Sequence, residues 1–243
     1  MSHSRTPKSR RPRIVASIAI AVFISSVFLT GTAGLAQNQQ MVDRLMTLKA
    51  NQEANKQKLA QYTWTETETI SIKGDVKDTK VYQVQMVNGQ QQKTLVSNQQ
   101  AQQGGRQGRL KEHVVEKKKE EFQEYGQQIS ALAKQYTTPN PNALMQAKQA
   151  GNISLQPGAG TANLVIKNYV KQGDTVTFTI NEQNKQLQGL NVQSFLNDPS
   201  DAVTINAVFA QLPDGTNHVS STLINGVSKQ LAVNDANSNY QKR

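Results

Sequence analysis

Cysteine is absent from the 243 residues. That excludes a disulfide framework, thiolate metal ligation and lipid attachment through a cysteine. Histidine is nearly absent: His3, His113 and His218 are far apart, and none stands in a local motif with Asp, Glu or another His. Metal sites draw on clustered ligands, so neither a metal nor a cofactor is expected. Aromatic residues make up 5% of the chain, with Trp64 the single tryptophan. The chain has no G-x-S-x-G, no phosphate-binding loop and no dinucleotide fingerprint. Ser and Thr are plentiful but have no base partner visible in sequence. No catalytic residue is therefore assigned.

Acidic residues are also missing from the beginning of the chain. Residues 1–36 carry Arg5, Lys8, Arg10, Arg11 and Arg13 and no acid. Ile14 to Leu29 is an uncharged, apolar or small run of 16 residues, and Gly34-Leu35-Ala36 closes it before a polar stretch. This is the pattern of a signal peptide. The run is short of the ~20 residues that a membrane-spanning helix needs, although an uncleaved anchor is the alternative. The expected location is periplasmic or secreted. Of the whole chain's charge of +10, five positive charges belong to this segment, leaving +5 for the rest. That is ordinary for a soluble domain. The basic residues do not interleave with aromatics on strands, so nucleic acid is not an expected partner. Transient contact with an anionic membrane surface is compatible with the residual charge.

From Gln37 the pattern is that of one domain, residues 37–234. Gln37 to Gln61 predicts a helix, with Met41, Leu45 and Leu48 in one row and a thinner continuation through Gln52 and Lys56. Tyr62 to Ile72 alternates Tyr62, Trp64, Glu66, Glu68, Ile70 and Ile72 against a row of hydroxyl residues, as a strand does. Lys73-Gly74-Asp75 predicts a turn, Val76 to Val87 a returning strand, and Asn88-Gly89 a hairpin. Gln90 to Val96 predicts a weaker third strand. Residues 98–108 form a Gln/Gly linker. A helical insert, residues 109–150, follows. Its long helix, Arg109 to Tyr136, shows Val115, Phe122, Tyr125, Ile129, Leu132 and Tyr136 on one face and mixed charges on the other. Gly126 marks a possible break, and a short helix spans Asn142 to Ala150. Strands are then expected at Leu164 to Val170, Thr175 to Ile180, Leu187 to Phe195, Ala202 to Leu212, Thr216 to Ile224 and Val227 to Val233. Tight turns connect them, one of them at Asn225-Gly226. Residues 235–243 read as a frayed tail. Helices segregated from an antiparallel meander give an α+β domain.

Glu66 and Glu68 are the one carboxylate pair worth testing as chemistry. They share a strand face with Trp64 at a separation of roughly 7 Å, which suggests a glycosidase pair. The acids that such sites gather from other elements are missing, however. The expectation is that this part of the strand leaves the core and meets water.

The order of elements is an amphipathic helix, a Tyr/Trp-Thr strand, a helical insert and a closing meander. It resembles the LolA/LolB-like periplasmic lipoprotein carriers over Met41 to Val87 and Leu164 to Val233. The resemblance implies a curved antiparallel sheet, an incomplete barrel of about eight or nine strands. Its concave face would be covered by the N-terminal helix and the insert. It also implies a lining of Trp64, Tyr82, Val84, Val176, Phe178, Val203, Ile205 and Phe209 for a lipid, an acyl chain or another apolar ligand, with a lipoprotein as a further partner. The alternative is a structural or sensory envelope protein that meets another protein and has no ligand cavity. The long charged helix and the linker are not part of that resemblance.

Overall fold

The computed structural model describes residues 50–100, 109–137 and 141–243. The expected signal segment, the helical row Met41, Leu45 and Leu48, and linker residues 101–108 lie outside them. So do the side chains of His113 and Val115.

Helix α1 occupies residues 50–59. Three strands follow it: β1 (Tyr62–Ile72), β2 (Asp75–Val87) and β3 (Gln90–Gln100). Then come helices α2 (Arg109–Thr137) and α3 (Pro141–Gln149). Seven more strands complete the chain: β4 (Ile153–Pro157), β5 (Thr161–Lys167), β6 (Thr175–Asn181), β7 (Leu187–Phe195), β8 (Ala202–Gln211), β9 (Asn217–Gly226) and β10 (Leu231–Lys242). All ten strands form one antiparallel sheet in the order β3-β2-β1-β10-β9-β8-β7-β6-β5-β4. The last strand thus pairs with the first, and β3 and β4 are the two edges. Among the described residues no helix is long and apolar enough to cross a membrane.

Local chemistry explains the hairpins. Lys73-Gly74 and Asn88-Gly89 both take positive φ at two successive residues, the geometry whose twist matches a two-residue hairpin. Period-two burial then puts Val176, Phe178 and Ile180 of β6 on one face, with Thr175, Thr177 and Thr179 half-buried on the other. Helix α2 lays Tyr125, Ile129, Leu132, Ala133 and Tyr136 on the apolar face. Spacings of three, four and one residue are those of a helical stripe. Pro141 opens α3, at a position where its missing N–H costs no helical bond.

The structure corrects the sequence reading in several places. Among the described residues there are ten strands rather than eight or nine, because Ile153–Pro157 forms a separate short edge strand, β4. Residues 98–100 are not linker, since β3 runs through them and Asn98 pairs with Lys80 of β2. Helix α2 passes through Gly126 without a break. Gly226 lies inside β9, facing Val203 and Leu231, and the turn falls at residues 227–230. A Cβ at Gly226 would come within 2.5 Å of the Tyr125 ring, so this glycine makes room for the helix. The tail is not frayed: β10 runs to Lys242, and the Arg243 guanidinium donates to the Ala60 and Met86 carbonyls at 2.7 and 3.2 Å. The strand registers against β1, which satisfies its backbone although its side chains show no apolar alternation.

Candidate functional site

The sheet registers define a single transverse row on the covered face. Reading from one edge, it runs Leu155, Leu164, Phe178, Leu190, Ala207, Thr222, Asp235, Glu68, Lys80 and Asn98. The first five are apolar and the last five polar. Leu164 through Glu68 are all buried. The neighbouring row, from Ile153 through Ile166, Val176, Val192, Ile205, Ile224 and Val233 to Ile70, stays apolar across eight strands and ends at Asp78.

The expected lining divides accordingly. Val176, Val203 and Ile205 are 0% exposed and join Phe178 in the core shared with α2, with half-buried Phe209 beside it. Trp64, Tyr82 and Val84 form a separate cluster, flanked by Leu59, Met86 and Tyr240. Between them lies a charged belt. Along β1 the order is Trp64, Glu66, Glu68, Ile70; along β10 it is Val233, Asp235, Asn237, then Tyr240. The acids of β1 therefore do not meet water. Glu66 is 4% and Glu68 2% exposed, because β2 and β3 bring cations to them. Lys80 Nζ lies 2.6 Å from Glu68 Oε1 and 3.3 Å from Asp78 Oδ2, and Lys93 pairs with Glu66. A buried carboxylate persists when paired and hydrogen-bonded.

Among the described residues no cation pairs with Asp235 in this way. Asp235 is 4% exposed and its Oδ1 accepts no hydrogen bond. Burial first, and then the Glu66 carboxylate, push its pKa up to about 8, against the opposing pull of Lys93. Tyr82 stands opposite Glu66 on β2, and its Oη is also without a partner. Burial, followed by the surrounding carboxylates, raises the Tyr82 phenol above its ordinary range. Trp64 donates through Nε1 to Asn237 Oδ1 at 3.1 Å and stacks on Tyr240 with ring centres 5.4 Å apart. His218 also lies against Tyr240, with ring centres 4.1 Å apart, and burial lowers its basicity. Sequence reasoning misses Tyr240 because it belongs to the stretch that reads as tail.

The cover of the apolar half is fastened by polar groups at both ends. Tyr136 Oη donates to Asp174 Oδ2 at 2.7 Å and lies 2.7 Å from Ser194 Oγ. Asp174 is fully buried and also accepts the N–H groups of Tyr169, Val170 and Lys171. Tyr125 Oη donates to Asp201 Oδ1 at 2.9 Å. At the Trp64 end, the Asn55 amide of α1 exchanges two hydrogen bonds with the Asn217 backbone. The Asn55 pair explains how α1 docks although its residues carry few apolar side chains. Among the described residues no cluster of His, Cys, Asp or Glu is arranged to hold a metal ion.

No protein-family model matches the chain, and no curated protein matches it. Among solved structures, the chain is similar to a LolA superfamily protein from Nitrosomonas europaea. The identity is 9%, the match covers 79% of this chain and 93% of that one, and the TM-score is 0.32. A likeness of that size carries no argument about function.

Proposed function

We propose that this protein is a non-enzymatic binder of an amphiphile, a lipid or other acyl-chain compound, held between the sheet and its helical cover. The observation that carries the reading is the transverse row, buried from Leu164 to Glu68 but apolar at one end and polar and charged at the other. Stability alone does not call for the charged half. Buried ion pairs are often no better for stability than apolar residues of the same volume, whereas each buried Leu or Phe contributes about 1.5–3 kcal/mol. A ligand with a tail and a polar head meets both halves. On this reading Val176, Phe178, Val203, Ile205 and Phe209 form apolar wall, and Trp64, Tyr82 and Val84 flank the polar end. Helices α2 and α3 are the cover. The basic, then apolar, N-terminal segment supports an exported protein acting in the envelope.

A second reading has an observation of its own. The apolar wall is already filled by α2, as in a structural protein that meets its partners through its surface. Native mass spectrometry of the exported protein, purified without detergent and exposed to an envelope lipid extract, separates the two. The binding reading expects a species with added lipid mass. A ligand-free species at every lipid concentration overturns it.

A further inference from the structure

The charged belt is unbalanced in two independent ways. Glu66, Glu68, Asp78 and Asp235 face only Lys80 and Lys93, an excess of two acids. The buried side-chain atoms left without a hydrogen bond are also of one kind. In this patch they are Asp78 Oδ1, Tyr82 Oη, Asn98 Oδ1 and Asp235 Oδ1. All are oxygens, and three of them can only accept while the carboxyls are ionised. What the patch lacks is N–H donors carrying positive charge.

We infer that this patch, bounded by Asp235 on β10 and Tyr82 on β2 with Glu66 and Glu68 of β1 between them, receives a primary ammonium group borne on an apolar tail. The inference rests on the amphiphile reading above and specifies its head group. An ammonium brings donors for the unpaired Asp235 Oδ1 and Tyr82 Oη at the two bounds of the patch, and its one charge halves the acid excess. The faces of Trp64 and Tyr82 favour a cation nearby. Apolar surface adjoins the patch on both sides, at Ile70 and Val233 and at Trp64 and Val84, so a tail has wall to follow. An anionic head group would instead meet the acid excess, and a neutral alcohol would bring no positive charge against which Asp235 could give up its proton.

The single tryptophan reports on the site. Trp64 is 2% exposed and its ring shares a cluster with Tyr82. The exported protein is titrated with octylamine, octanol and octanoate at equal concentrations below micelle formation, following Trp64 fluorescence. Saturable octylamine binding at least about tenfold tighter than the other two is the result expected, that factor corresponding to one modest charge interaction. Equal binding of all three overturns the ammonium assignment and leaves the broader apolar-ligand reading standing. No binding of octylamine also overturns it, and the lipid-extract experiment then decides the broader reading separately. Methylamine or a lysine-containing peptide binding as tightly as octylamine overturns the amphiphile. Asp235→Asn keeps the shape and removes the carboxyl that can ionise against the ammonium, so its octylamine affinity should fall about tenfold. Tyr82→Phe is the second variant, with a smaller loss. Unchanged affinity in a folded form of either variant overturns the proposal.

Discussion

Strands β4–β8 and strands β9, β10 and β1–β3 bury the same transverse row with opposite chemistry. In the first group Leu164, Phe178, Leu190 and Ala207 share a core with Ile129 and Leu132 of α2, and their worth is the area removed from water. In the second group Glu68 and Lys80 are held by pairing beside Asp235, and what they gain from each other is set against the cost of leaving water. Burial in this sheet therefore has two meanings. On one side it makes the fold. On the other it holds a specific arrangement of charges that the fold tolerates.

The largest expected effect breaks the polar half. Lys93→Ala leaves the Glu66 carboxylate buried without its cation, and unfolding in urea at neutral pH should show a loss of about 3–5 kcal/mol. The double variant Glu66→Gln, Lys93→Met removes both charges and should recover most of it. Equal losses in the single and double variants would mean that Lys93 acts by packing on the Tyr82 ring rather than by pairing. A comparable deletion in the apolar half, such as Ile205→Ala, costs about 2–5 kcal/mol and has no such rescue, because the loss there is volume and area.

How far the sequence foretells these halves follows from the same contrast. Alternation in Thr175–Asn181 and Ala202–Gln211 announces the apolar half, since period two and burial coincide there. Alternation in Tyr62–Ile72 announces the strand but not the burial of Glu66 and Glu68, because the cations come from β2 and β3, 12 residues from Glu68 and 27 from Glu66. Nothing local marks such pairing. The part of β10 after Val233 is illegible for a related reason: Asn234, Asn237, Ser238 and Asn239 give no apolar rhythm, and the strand continues because β1 offers it a backbone partner. Asp174 stands in sequence just after Gly173, between two expected strands, with nothing local to mark it as buried. Its role as a buried hub depends on Tyr136, 38 residues earlier.

Proton linkage sharpens the comparison next. Asp235 faces Glu66, Glu68, Lys80 and Lys93, and its pKa is raised to about 8 in the folded protein, whereas an unfolded Asp titrates near ~4. The folded state therefore holds a proton that the unfolded state has released between these values. The stability contributed is complete below about pH 4 and is lost as pH rises through about 8. Thermal unfolding from about pH 5 to 9 should show a falling midpoint, and Asp235→Asn should flatten the fall. A wild-type profile that stays level would place a cation beside Asp235 in the unliganded protein. Bound alkylammonium should oppose the fall at the upper end.

The contact between α2 and the sheet can be tested without touching either half's chemistry. Gly226→Ala puts a methyl group into the Tyr125 ring, and overpacking of this kind costs about 1–3 kcal/mol. The loss should vanish in a Tyr125→Ala background, where the ring is gone. A cost that persisted there would belong to β9 itself.

The smallest effect has the opposite sign. Gly126 lies in the middle of α2, and a Cβ there would meet only Leu231 Cδ2 at 3.7 Å, a normal van der Waals contact. Alanine should therefore stabilise the protein by up to about 1 kcal/mol through helix propensity alone, raising the unfolding midpoint by a few degrees. If the helix is a cover that must move for a ligand to enter, the same substitution should slow octylamine uptake while leaving the affinity nearly unchanged once the helix has closed again. If α2 is fixed core, uptake should be insensitive to it. Stopped-flow fluorescence of Trp64 in the two proteins distinguishes the cases, and it does so by stiffening the helix rather than by damaging the site.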